Sequence, residues 1–176
     1  MCEAFICQDE YDRIQADASD MFEEACSMYN AGHVSFARHL FLAIKKKFSK
    51  ALHPYHHVLF NSLAYLLNAA MRESDFVSAK DHCEEIVDCM KNGPIPTDFP
   101  EIGDYQFRLG ELYALLAGIA EAEEGRELLT GISSPKDLKS AAAFAFEECR
   151  RIRQNLLGSD HPKTMQVLKE LQEVSE

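Results

Sequence analysis

The chain has 176 residues, 47% of them hydrophobic, which suffices for one compact helical domain or a short array of repeats. Its 29 acidic and 18 basic side chains give a formal net charge of -11, so most of the surface would repel nucleic-acid phosphates and anionic lipid headgroups. No stretch approaches the ~20 apolar residues that span a bilayer, and the first residues lack the features of a secretory signal. We therefore expect neither nucleic acid nor membrane as a partner.

The six cysteines do not have the spacing of a disulfide framework. Cys26, Cys83 and Cys149 fall at interior positions of predicted helices, where a free thiol behaves as a small hydrophobic group. This pattern indicates a reduced, intracellular protein, cytoplasmic or also nuclear.

Apolar residues recur at intervals of three and four along nearly the whole chain, which predicts helices and no β-strand. After an N-terminal segment (1–10), one helical domain should cover residues 11–176. The first helix should run from about Tyr11 to Tyr29 and the second from about Val34 to Leu52. The interior residues predicted for these two helices are Ile14, Met21, Phe22, Ala25, Met28, Phe36, Ala37, Leu40, Phe41, Ile44 and Phe48.

A third helix should begin at His53-Pro54, and a fourth should follow Ser74-Asp75 and end before Gly93 and Pro94. Their predicted interior residues are Val58, Leu59, Leu63, Leu66, Leu67, Ala70, Phe76, Ala79, Cys83, Ile86, Val87 and Met90.

A fifth helix should follow Pro100, and residues 120–129 are helical by propensity but poorly patterned. Ser134 as N-cap with Pro135 at the first helical position predicts the start of a long sixth helix. Gly158 should cap it in a left-handed conformation, and Pro162 should open the last helix after a tight turn. The interior residues predicted for these helices are Ile102, Leu109, Leu112, Tyr113, Leu116, Leu138, Ala142, Phe146, Cys149, Ile152, Leu156, Met165, Leu168 and Leu171.

A pattern of one turn residue, one alanine and two core residues occurs twice, 42 residues apart: Gly32, Ala37, Phe41 and Ile44, then Ser74, Ala79, Cys83 and Ile86. A third unit begins with LGELY at 109–113 and resumes at Ala142, after an interruption at about 118–137. We predict an all-α fold of seven or eight helices, in which antiparallel hairpins stack as a short solenoid. An irregular helical bundle is the alternative.

The segments LGELY, DFVSA and LGSDHPKT resemble tetratricopeptide repeats (TPR). Their order, with a long first hairpin, a Pro-rich link and a final LGSDHP, resembles the C-terminal helical domain of the SET-and-MYND protein-lysine methyltransferases over about residues 10–174. The resemblance does not imply catalysis, because the SET motifs and the Cys-x-x-Cys pairs of the MYND zinc module are absent.

The sequence contains no glycine-rich nucleotide cradle and no nucleophile elbow, and its paired carboxylates fall on polar helix faces. The densest metal candidate is HPYHH, in which His53 and His57 are four residues apart. No carboxylate accompanies them at metalloprotease spacing, so we favour a capping or surface role over a metal-dependent enzyme. We expect no catalytic residue, no metal and no cofactor.

Binding is the remaining class of function, and the inner wall of stacked hairpins is the expected groove. Alignment of the repeats places seven residues on or near this wall: Phe22, Cys26, Tyr65, Asn68, Phe107, Arg108 and Glu111. Phe22 and Phe107 could equally be core residues. We expect a non-catalytic adaptor or scaffold domain that binds a protein or peptide segment.

The resemblance also suggests the acidic tail of a heat-shock chaperone as a partner. Of the basic and amide clamp positions that hold such tails, only Arg108 matches, and a strongly acidic protein disfavours an acidic ligand. We therefore expect a neutral or basic segment. The alternative function implied by the resemblance is that of the regulatory, substrate-gating C-terminal domain of a SET-and-MYND methyltransferase.

Overall fold

The structure, a computed structural model, describes residues 7–122 and 134–175. These residues form seven α-helices and no β-strand, which confirms the predicted all-α class. The helices are α1 (Gln8–Asn30), α2 (Val34–Phe48), α3 (His57–Arg72), α4 (Phe76–Lys91), α5 (Pro100–Glu121), α6 (Pro135–Leu157) and α7 (Pro162–Ser175). Most of the stretch predicted to be helical at 120–129 lies outside the described residues.

The chain divides into two compact units, Met1–Ser74 and Asp75–Glu176. In the first unit, α1 and α2 form an antiparallel hairpin around Gly32, and α3 packs against both helices. Ala25 of α1 and Ala37 of α2 are fully buried, so the backbones approach closely where these small side chains lie. Phe41 fills the centre of this core, and its ring stacks on that of Tyr65 with centroids 4.8 Å apart.

Three expectations for the first unit are wrong. Phe36 is 54% exposed, because the buried stripe of α2 runs through Ala37, Phe41, Ile44 and Phe48, and Phe36 lies about 100° away from Ala37 around the helix. The third helix begins at His57 rather than at His53-Pro54, and α2 ends at Phe48 rather than near Leu52. The residues between these helices form a turn that the apolar periodicity did not reveal.

In the second unit, α4 to α7 pack in chain order, and consecutive helices run antiparallel. Gly103 and Gly110 of α5 lie against Ile152 and Phe146 of α6, so α6 packs directly on the α5 backbone. α7 contributes the fully buried Val167 to the core that α5 and α6 share.

The predicted interior residues Leu156 and Met165 are 47% and 52% exposed, so this part of the prediction is wrong. For Met165, the turn between α6 and α7 is the reason. Gly158 ends α6 with a φ of 91°, and the Thr164 hydroxyl donates to the Gly158 carbonyl at 2.9 Å. This register turns Thr164 and Val167 inward instead of Met165. The predicted start at Pro162 is confirmed.

Candidate functional site

In the first unit, the predicted residues Phe22 and Cys26 of α1 lie beside Tyr65 of α3. The ring centroids of Phe22 and Tyr65 are 5.9 Å apart in an edge-to-face arrangement. All three side chains are half-buried, and Asn68, one turn further along α3, is exposed. Four of the seven predicted groove residues therefore share the surface between α1 and α3, which we call the α1–α3 face.

Arg72 extends this face, although the sequence pattern had not singled it out. It follows Asn68 by one helical turn, and its guanidinium carbon lies 4.6 Å from the centroid of the Tyr29 ring. Tyr29 in turn packs edge-to-face on Tyr65, with centroids 5.1 Å apart. The sequence signal was the spacing of Tyr65, Asn68 and Arg72 at intervals of three and four, which places all three along one side of α3.

The thiol of Cys26 and the phenol of Tyr65 form a hydrogen-bonded pair. Burial raises the pKa of Cys26, and the nearby Glu23 carboxylate adds to the effect. The hydrogen bond with Cys26 raises the pKa of Tyr65, with burial as the second cause. Both groups stay neutral at physiological pH, which suits a binding surface and not an activated cysteine nucleophile.

In the second unit, the structure separates the three predicted residues. Phe107 is 9% exposed and lies in the core, its ring 5.6 Å from that of Phe146 and 4.7 Å from the guanidinium of Arg153. Phe107 is therefore a core residue, which was one of the two positions that the sequence allowed for it. Arg108 and Glu111 are exposed neighbours on α5, with Arg108 Nε 3.8 Å from Glu111 Oε2.

A second surface of this unit was not predicted. Side chains of α4, α5 and α6 line a groove of about 270 Å³, which we call the α4–α6 groove. Phe144 stands at its edge and is 65% exposed. The run AAAFAFEE contained a signal, because Phe144 and Phe146 are two residues apart on one helix and cannot both face the core.

The histidines of HPYHH act within the turn before α3. His53 Nδ1 accepts a hydrogen bond from the Tyr55 amide at 3.2 Å, and His56 Nδ1 accepts from the Val58 amide at 3.3 Å as the N-cap of α3. Since α3 begins at His57, His53 and His57 do not share a helical face. Within residues 7–122 and 134–175, no group of three or more histidine, cysteine or acidic residues is arranged to hold a metal ion.

None of the described helices combines the length and apolar character that a bilayer crossing requires. No protein-family model and no curated protein matches the chain. Among solved structures, it is similar to crystal structures of a Podosopora anserina putative kinesin light chain with nearly identical TPR-like repeats. One structure of that protein and one of its point variant are each 17% identical to this chain, cover 93% of it, and give a TM-score of 0.45. The match spans 86% of one of those chains and 85% of the other.

Proposed function

We propose that this protein is a non-catalytic interaction domain whose α1–α3 face binds a neutral or basic segment of a partner protein. The observation that supports it is the half-buried ring pair of Phe22 and Tyr65 beside the exposed amide of Asn68. Rings that keep an exposed edge supply apolar contact area, and a neighbouring carboxamide supplies both a donor and an acceptor for a peptide group. Together they suit peptide recognition.

The charge around this face favours a basic over an acidic segment. α1 carries seven acidic side chains against one arginine, and Glu23 lies close enough to Cys26 to raise its pKa. Arg72, the cation at the other end of the face, is held against the Tyr29 ring. An acidic chaperone tail would meet mostly like charges here, whereas a lysine or arginine would be attracted.

Replacement of Asn68 by alanine tests the face directly. We expect Asn68→Ala to reduce capture of partner proteins from cell extract by about five- to tenfold, the effect of a central polar contact. Helix content and the urea midpoint should not change, because Asn68 is exposed. Asn30→Ala, which removes an exposed amide at the end of α1, is the matched control and should capture partners normally. Equal capture by both variants would contradict the proposal.

Arg108 is the corresponding test in the second unit. We propose that its exposed guanidinium makes a separate contact with a partner protein, and we expect Arg108→Glu to weaken capture by about tenfold without loss of helicity. Lys46→Glu, the same charge reversal at an exposed position of α2, is the control. If both reversals weakened capture equally, net charge rather than Arg108 would be responsible.

The role of a regulatory domain in a SET-and-MYND methyltransferase stays a prediction from the sequence resemblance. A transcript that encodes a SET domain upstream of this chain would decide in its favour.

A further inference from the structure

The α4–α6 groove lies on a different side of α5 from Arg108. Gln106, Leu109 and Tyr113 line the groove at intervals of three and four. With 100° of rotation per residue, the average direction of these three side chains around the α5 axis differs by about 160° from the average direction of the Arg108 and Glu111 side chains. The groove is therefore a surface distinct from the one that Arg108 and Glu111 occupy, and a ligand can bind to it without contact with either residue.

The walls of the groove combine apolar and acidic side chains. α6 contributes Ala141, Ala145 and the exposed ring of Phe144, and α4 contributes the carboxylates of Glu84 and Asp88. The Tyr113 hydroxyl and Lys80 Nζ both donate to the Glu84 carboxylate, the latter at 3.2 Å, so Glu84 is already paired.

Asp88 is the acidic group that the groove leaves available. It is exposed, and its carboxylate forms no ion pair or hydrogen bond with another described residue. The cation at this end, Lys91, lies over the Phe144 ring with Nζ 5.9 Å from the centroid. A ligand with a positive side chain for Asp88 and an apolar side chain for Phe144 would complement both groups.

Gln106 indicates the backbone conformation of such a ligand. It lines the groove although it is only 1% exposed, and its carboxamide carries both hydrogen-bond donors and an acceptor. The N–H and C=O of an extended peptide would complement the two ends of this carboxamide. A helical ligand would not, because its backbone groups already bond to each other.

We propose that the α4–α6 groove binds an extended segment of a partner protein that carries a lysine or arginine close to a large apolar side chain. Asp88 pairs with the cation, Phe144 and Leu109 contact the apolar side chain, and Gln106 bonds to the main chain.

An array of immobilised nonapeptides tests this assignment with the labelled whole chain as the probe. The central residue is arginine, glutamine or glutamate, and the residue two positions away is leucine, phenylalanine or serine. We expect the strongest binding for arginine with leucine or phenylalanine. No preference for arginine over glutamate, or none for the apolar residue over serine, would overturn the proposal.

Three variants assign the preferences to residues. Asp88→Asn should reduce the preference for arginine over glutamine by about two- to fivefold, the scale of an exposed ion pair. Phe144→Ser should remove the preference for the apolar residue, whereas Leu115→Ser, at an exposed α5 position outside the groove, should not. If Phe144→Ser and Leu115→Ser behaved alike, the groove would not be the binding site.

Gln106→Leu separates binding from folding. Leucine has a volume close to that of glutamine at this buried position, so we expect the variant to keep the native helix content and yet to bind the best peptide more weakly. Loss of stability with unchanged peptide binding would show a purely structural residue and would overturn this part of the proposal.

Two further measurements distinguish the alternatives. Concentration-dependent dimerisation that Phe144→Ser abolishes would assign the groove to a second copy of this chain and overturn the proposal. Array binding that Asn68→Ala weakens and Phe144→Ser does not would assign the peptides to the α1–α3 face and overturn the groove proposal, so failure of the groove proposal and failure of the proposed function give different results.

Discussion

Gly110 allows the backbone of α5 to pack on an aromatic ring of α6. A Cβ atom at this position would lie 2.6 Å from Cδ1 and Cε1 of Phe146, well inside van der Waals contact. Phe146 is fully buried, so its ring has no free space into which it could move. The absence of a side chain at residue 110 therefore determines how closely the two helices pack.

We expect Gly110→Ala to lower the free energy of unfolding by about 1–3 kcal/mol, the usual cost of overpacking a filled core. Gly118→Ala is the matched control on the same helix, because a Cβ there meets no atom within 4 Å. It should leave the protein as stable or raise its stability by up to about 1 kcal/mol through helix propensity. Urea unfolding followed by circular dichroism measures both, and equal stability of the two variants would contradict direct packing on Gly110.

At the scale of secondary-structure elements, the sequence pattern of a turn residue followed by an alanine and two core residues occurs twice, and its two turn residues share a backbone conformation. Gly32 precedes α2 with a φ of 88°, and Ser74, at the matching position before α4, has a φ of 57°. Glycine adopts this left-handed region without strain, whereas a residue with a Cβ does so at a cost. Each of these residues stands five positions before a fully buried alanine, Ala37 or Ala79.

The two turns give a reciprocal pair of predictions. We expect Ser74→Gly to raise the free energy of unfolding by about 0.5–1 kcal/mol and Gly32→Ser to lower it by about 1 kcal/mol, because each change removes or introduces a left-handed residue with a side chain. The midpoint of urea unfolding checks both values. Changes of the same sign would show that backbone strain does not control these turns.

At the scale of the whole molecule, buried thiols make folding sensitive to alkaline pH. Burial raises the pKa of Cys83 to about 12 and that of Cys149 to about 11, from an ordinary value of 9.0. Above pH 9 the unfolded chain loses these protons while the folded chain keeps them. The stabilisation from the neutral thiols is therefore complete below pH 9 and declines as the pH rises towards the folded-state values.

We expect the free energy of unfolding to fall between pH 9 and pH 11, as measured by urea unfolding in a pH series. Cys83→Ala should lower stability at neutral pH, since it leaves a small cavity, but should make the alkaline decline less steep. Cys7→Ala, which removes an exposed thiol, is the control for the loss of a cysteine. An equally steep decline in Cys83→Ala would contradict the role of this thiol.

The sequence by itself determined the class of fold and most helix boundaries. Apolar spacing, Pro100, the Ser134-Pro135 start and the Gly158 to Pro162 turn act within a few residues, so their effect is readable without knowledge of the fold. Local geometry also sufficed to group Tyr65 and Asn68 on one side of α3.

Only the tertiary structure decided which apolar residues are buried and which surfaces form. Phe36, Met165 and Phe144 are as apolar as their buried neighbours, and their exposure depends on where the next helix packs. The contact of Arg72 with Tyr29 and the α4–α6 groove around Gln106 join residues from different helices. Periodicity within one helix carries no information about the direction or register of another, because interhelical packing is set by side chains that lie far apart in the chain.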